Sequence, residues 1–160
     1  MRVSSSEPDA DAGRRRSGDG GPAVPIHGLG VDLCRVDRLA RALAAENSEF
    51  ITTVFRPAEI ARSRRSPRPA GWLAACFAAK EAVIKSLAGA EGRGAFWQDI
   101  EIEDRGRGQT IAVLHGRLAA IADQLGVRSI GVACAHDRDY ATACAIASGP
   151  CGLPPEVGTS

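Results

Sequence analysis

The sequence predicts an α+β fold in which an antiparallel sheet is packed with helices. Three observations predict it. The hydrophobic period changes along the chain, from helical spacing through much of 36–87 to alternation at 99–103, where Ile100 and Ile102 alternate with acidic residues. The element order reads strand, three helices, two strands, helix, two strands, with no repeated βαβ unit to build a parallel sheet. Of the 160 residues 44% are hydrophobic but only 4% aromatic, so the core must be assembled from Ala, Val, Ile and Leu.

Residues 1–23 hold Ser, Asp, Gly, Arg and Pro, and their charges cancel, with Arg2 and Arg14 to Arg16 against Glu7, Asp9, Asp11 and Asp19. That composition reads as a disordered N-terminal tail, leaving a folded domain over 24–148 and a loose C-terminal tail over 149–160. Ile26 to Asp32 forms a strand, where Gly28 and Gly30 let another element approach the backbone. A helix over 36–46 carries Val36, Leu39, Ala40 and Leu43 on one stripe. Residues 47–56 form a connection anchored by Phe50, Ile51, Val54 and Phe55. Pro57 opens a short helix to residue 64. A longer helix spans 70–87, with Gly89 to end it and a glycine-rich loop over 89–94. Ile100 and Ile102 alternate with Asp99, Glu101 and Glu103 as a half-buried strand. Residues 110–114 pair back onto it with Ile111 and Val113 inward. Residues 115–125 form a helix on Leu118, Ile121, Ala122 and Leu125, and strands 128–135 and 140–147 flank the turn H-D-R-D.

The formal charge is +1, from 20 basic and 19 acidic residues, which gives no nucleic-acid signature. Residues 35–68 depart from that balance. Eight arginines there oppose Asp37, Glu46, Glu49 and Glu59, a net +4 that is either a solvated face or a dock for an acidic partner. The five cysteines are odd in number and too far apart for a zinc knuckle, so reduced thiols in a cytoplasmic protein are expected. Cys134 and Cys144 either face each other across a hairpin or stay free and buried. No apolar run reaches the roughly 18 residues of a membrane span. A core rich in alanine buries little area per residue, which favours a homo-oligomer.

Asp32 is either a metal ligand at a strand end or the cap of the helix beside it. Glu81 and Lys85 lie four apart in F-A-A-K-E-A-V-I-K and share a helix face. They form either a surface ion pair or a phosphate-handling pair, in which Glu81 completes a cation site with Asp32 and Lys85 meets phosphate oxygens. The loop with Gly89 and Gly92 lacks the P-loop pattern, and it either ends the helix or brings backbone N–H groups to a phosphate. His136 either meets a phosphate or closes a tight turn. No serine elbow points to a hydrolase triad.

Together these segments resemble the holo-[acyl-carrier-protein] synthase family of 4'-phosphopantetheinyl transferases over roughly residues 26–147. I-H-G-L-G-V-D-L-C-R-V-D-R-L at 26–39 and W-L-A-A-C-F-A-A-K-E-A-V-I-K-S-L-A-G at 72–89 carry the resemblance, with weaker matches at 96–102 and 136–143. The resemblance implies transfer of the 4'-phosphopantetheine arm of coenzyme A to a serine of an apo acyl carrier protein, with Mg2+. It implies Asp32 and Glu81 as metal ligands, Glu81 also as base, and Lys85 on the coenzyme phosphates. It implies the Gly89–Gly92 loop over the coenzyme and His136 near its adenosine 3'-phosphate. Arg38 and Arg41, one helical turn apart, would meet the acidic carrier. A homotrimer with active sites at subunit interfaces is implied as well. Cys76 stands where many members carry arginine. The alternative is a catalytically weakened carrier-binding or assembly subunit of the same fold.

Overall fold

The computed structural model describes residues 24–45, 49–87, 97–105 and 110–150. The N-terminal tail, the loop with Gly89 and Gly92, and residues 151–160 of the C-terminal tail lie outside them. The described strands are β1 (Ile26–Arg35), β2 (Ile100–Asp104), β3 (Thr110–Leu114), β4 (Ser129–His136) and β5 (Tyr140–Ser148). They form one antiparallel sheet in the order β1-β5-β4-β3-β2. The described helices are α1 (Val36–Ala44), α2 (Glu49–Val54), α3 (Pro57–Ser63), α4 (Pro69–Ser86) and α5 (Gly116–Gln124), with a 3-10 turn at Trp97–Asp99. The α+β expectation holds. None of the described helices is long and apolar enough to cross a membrane.

Small residues explain how a chain poor in aromatics closes its core. Helix α4 lies on one face of β1, β5 and β4. It buries Ala74, Ala75, Ala78, Ala79 and Ala82, and β5 meets it with the alternating Ala141, Ala143, Ala145 and Ala147, all buried. Short side chains on both surfaces let helix and sheet backbones come close. The approach is tightest at β1, where a Cβ on Gly30 would stand 1.9 Å from the Ala82 carbonyl oxygen and one on Gly28 would stand 2.1 Å from that of Ser86. Only glycine fits there, and this contact sets the part of α4 holding Glu81 and Lys85 against β1.

Several expectations need correction. Residues 49–54 are a helix, not a connection. E-F-I-T-T-V has weak helical propensity, but Ile51 and Val54, three apart, both insert into the core, and that burial overrides the propensity. Strand β1 does not end at Asp32. Its ladder with β5 continues through Leu33↔Thr142, Cys34↔Ala141 and Arg35↔Tyr140. Arg35 is therefore the residue before α1, and Asp32 is not a helix cap. In β3 the inward residues are Ala112 and Leu114, paired with the buried Ile102 and Ile100, rather than Ile111 and Val113. A one-residue change of phase moves every side chain to the other face. Cys134 and Cys144 are free but not buried, being exposed and half-buried. Ala133 stands opposite Cys144 and Ala143 opposite Cys134, so the two thiols occupy opposite faces of the hairpin.

Candidate functional site

The inward face of β1 reads Gly28, Gly30, Asp32, Cys34, so the strand that contacts α4 through glycine presents a carboxylate two residues further on. Lys85 of α4 meets it: Lys85 Nζ donates to Asp32 Oδ1 at 2.7 Å and to the Val31 carbonyl at 3.1 Å. The Asp32 side chain is 16% exposed and that of Lys85 42%, so the pair is partly shielded from solvent. Glu81 lies one helical turn earlier on the same face of α4. The buried Cys34 thiol lies on the same face of β1 as Asp32. Burial pushes it above its usual value, Arg38 pulls it down, and Asp32, Asp37 and Glu81 push it up again. Asp32 and Lys85, 53 residues apart in sequence, are thus brought together, with Glu81 one helical turn from Lys85.

Glu81 has a partner that the sequence did not announce. The Trp97 indole N–H donates to Glu81 Oε1 at 2.5 Å. Trp97 packs on Phe77 with ring centroids 6.3 Å apart, and Phe77 on Phe50 at 5.9 Å. The guanidinium of Arg38 lies over both phenylalanines, 5.3 Å from Phe50 and 5.2 Å from Phe77. Arg38 therefore leans on the aromatic wall of the site while staying exposed. Arg41 extends into solvent, 3.7 Å from Asp37, which also binds Arg35 at 2.7 Å.

Below this wall lies a second feature missed in the sequence. Lys80 is fully buried and pairs with Glu59 at 2.7 Å, while also donating to the carbonyls of Val54 at 2.8 Å and Trp97 at 2.9 Å. Burial pulls the Lys80 ammonium below its usual value, and Glu59 opposes that pull. Glu59 also accepts the N–H groups of Arg56 and Ile102. A lysine flanked by A-A on one side and Glu81 on the other, in an otherwise apolar helix, was the available signal for a buried charge.

The remaining site expectations separate from this cluster. His136 ends β4 and packs against Gly71, whose Cβ would stand 2.7 Å from His136 Nδ1. That nitrogen is buried with no hydrogen-bond partner among the described residues. Gly71 and Lys85 are 14 residues apart on α4, about 21 Å of helix. One chain therefore does not bring its His136 to its own Lys85. Cys76 is 3% exposed in the core, and burial holds its thiol well above the usual value. Gly89 and Gly92 lie outside the described residues.

The donor set suits a small hard cation. Asp32 and Glu81 each spend one oxygen on an anchor, Lys85 or Trp97, and no hydrogen bond among the described residues occupies the other. Mg2+ typically takes one or two carboxylates and completes its shell with water and substrate phosphates. Among the described residues no cluster of three or more His, Cys, Asp or Glu could hold a metal, so a cage built wholly from protein is not present there.

Comparisons with known proteins agree on one family. The sequence pattern of the 4'-phosphopantetheinyl transferase superfamily matches residues 28–145. A holo-[acyl-carrier-protein] synthase from Syntrophus aciditrophicus is 36% identical over 124 residues, covering 78% of this chain and 97% of the relative. One from Moorella thermoacetica is 41% identical over 117 residues, covering 73% and 90%. Among solved structures, the holo-ACP synthase of Plasmodium yoelii superposes with a TM-score of 0.67 at 30% identity, covering 80% of this chain and 98% of the other. The coenzyme A complex of the Chronobacterium ammoniagenes enzyme superposes at 0.61 and 30% identity, covering 77% and 97%. The chain thus belongs to the 4'-phosphopantetheinyl transferase superfamily, as an enzyme of the holo-[acyl-carrier-protein] synthase type.

Proposed function

We propose that this enzyme transfers the 4'-phosphopantetheine arm of coenzyme A to a serine of an acidic apo acyl carrier protein and that it depends on Mg2+. The observation that carries the proposal is the 2.7 Å contact of Lys85 with Asp32, one helical turn from Glu81. Two carboxylates and an ammonium on adjoining parts of β1 and α4 match a diphosphate substrate. Asp32 and Glu81 would hold the cation. Bound there, Mg2+ supplies Lewis-acid stabilisation to the diphosphate.

The chain's own groups supply the rest. Glu81 takes the proton from the carrier serine as its oxygen attacks the phosphorus attached to the pantetheine arm. The bond from that phosphorus to the nucleotide breaks, and Lys85 offsets the negative charge that grows on the departing adenosine 3',5'-bisphosphate. Gly89 and Gly92 would bring their loop over the coenzyme. Arg38, beside the Phe50–Phe77–Trp97 wall, and Arg41, one helical turn further along α1, give the carrier's acidic helix a basic surface next to the site.

A homotrimer with interfacial sites accompanies this proposal, supported by two features. The outward face of β1 exposes Leu29, Val31 and Leu33 at 60%, 55% and 64%, and Ile146 of β5 stands opposite Leu29, an apolar strip suited to cover by another copy. His136 lies at the far end of α4 from Lys85, so a neighbouring copy is the natural source of a histidine for the nucleotide. With Nδ1 turned against Gly71, Nε2 is the nitrogen left to meet the 3'-phosphate.

Incubating the purified protein with an apo acyl carrier protein, coenzyme A and Mg2+ tests the function. The carrier should gain the mass of one phosphopantetheine arm, and omitting Mg2+ should abolish the gain. A carrier that binds but keeps its mass would instead identify a non-catalytic assembly subunit.

A further inference from the structure

The two oxygens of Glu81 are not equivalent, because the Trp97 indole N–H occupies Oε1. Trp97 is itself unusually well fixed for a residue in a three-residue turn. Its ring packs on Phe77, and its carbonyl accepts from the fully buried Lys80. The next residue is fixed as firmly. The Gln98 carbonyl accepts from Arg56 at 2.6 Å, and its side-chain amide donates to the carbonyls of Thr52 at 2.8 Å and Phe55 at 3.1 Å. Asp99 closes the turn, its carbonyl accepting from His115 N–H at 2.7 Å and its carboxylate from Leu118 N–H at 3.2 Å. All three residues of Trp97–Asp99 are thus tied to the rest of the fold. A structural tryptophan would need a neighbour for its ring and any acceptor for its N–H. Here the acceptor is the carboxylate assigned to the cation.

We propose that Trp97 is a positioning residue for Glu81. Its indole N–H holds Oε1, so Oε2 faces the cation in one orientation. A free glutamate side chain samples many rotamers, and each lost rotamer is entropy that the site would otherwise forfeit at the moment of binding. A hydrogen bond to a charged acceptor is among the stronger ones available. The Glu59–Lys80 pair extends the same function one step inward by holding the Trp97 carbonyl. Partners of this kind, which orient a metal-binding side chain, typically contribute 10–100-fold to metal affinity or activity.

The role of Trp97 rests on the transfer chemistry proposed above, and the test separates the two. Trp97→Phe keeps the ring against Phe77 and removes only the N–H. Binding of Mn2+ in the presence of coenzyme A is followed by the electron paramagnetic resonance of free Mn2+, and transfer is followed against Mg2+ concentration. Trp97→Phe should weaken Mn2+ binding about 10–100-fold and raise the Mg2+ requirement by a similar factor, with KM for the carrier unchanged. Trp72→Phe provides a second, independent readout, because Trp97 is then the only tryptophan. Its emission should be quenched by Mn2+ with the affinity found by resonance. Wild-type protein that transfers while Trp97→Phe matches it in Mn2+ and Mg2+ response overturns the role of Trp97 alone. If Trp97→Phe fails to fold, unquenched emission from Trp72→Phe at saturating Mn2+ overturns it equally. Wild-type protein that neither transfers nor binds Mn2+ overturns both this role and the function beneath it.

Discussion

Lys80 and Glu59 form an ion pair 2.7 Å long with 0% and 2% of their side chains exposed, beneath the wall that carries Trp97. Both charges have further partners: Lys80 donates to the Val54 and Trp97 carbonyls, and Glu59 accepts the N–H groups of Arg56 and Ile102. Removing one partner leaves the other charge buried alone. Lys80→Met or Glu59→Gln should therefore lower stability by about 3–5 kcal/mol. Urea unfolding followed by circular dichroism measures this, and a loss below about 1 kcal/mol would mean that the survivor is readily rehydrated.

Lys85 and Asp32 should behave in the opposite way. Their contact is partly exposed, so it contributes little to folding, about 0–1 kcal/mol. Lys85→Ala should leave the unfolding midpoint nearly unchanged while lowering kcat about 10²–10³-fold. A large drop in midpoint with full activity would reassign the pair to structure.

The glycine contact between β1 and α4 gives a sharp contrast. Gly30→Ala puts a methyl 1.9 Å from a backbone oxygen, whereas Gly131→Ala meets nothing within 4 Å. Gly30→Ala should cost about 1–3 kcal/mol, and more if α4 cannot shift. Gly131→Ala should stay within about 0.5 kcal/mol of the parent. Equal midpoints in thermal unfolding would show that α4 moves away from β1 without penalty.

Self-association should fail when the outer strip of β1 is charged. Leu33 is 64% exposed in the single chain, so Leu33→Glu should fold normally but sediment as a smaller species than the parent. If active sites lie between copies, transfer should fall with the loss of assembly. A parent protein that sediments as a monomer at micromolar concentration would remove the trimer.

Arg38→Glu should raise KM for the carrier while leaving KM for coenzyme A unchanged, and the parent's carrier KM should rise with ionic strength. The guanidinium also rests on Phe50 and Phe77, so a small stability loss of about 0.5–1 kcal/mol is expected alongside. An unchanged carrier KM would place the docking surface elsewhere.

Elements with strong periodicity were legible from sequence. α4, α5 and the β4–β5 hairpin formed within a residue or two of where spacing placed them. α2 was not, because six residues with a β-branched run become helical only when Ile51 and Val54 find a core to enter. The inward face of β3 was not, because T-I-A-V-L alternates two apolar sets, and only the pairing of Ala112 with Ile102 chooses between them. Within the site, Asp32, Glu81 and Lys85 were legible as residue types at suggestive positions. Trp97 was not, because an indole hydrogen bond from a turn to a helix depends on geometry that no local spacing encodes.

The sequence by itself determined the α+β class, the family and the set of chemically able groups. Those follow from periodicity, composition and short motifs, which are local. Tertiary structure alone decided that Lys80 is buried while Lys85 is not, that Trp97 holds one Glu81 oxygen while the other has no hydrogen-bond partner among the described residues, and that His136 stands a helix length from Lys85. Each of these depends on which surfaces pack together, and packing is a property of the whole chain rather than of any segment in it.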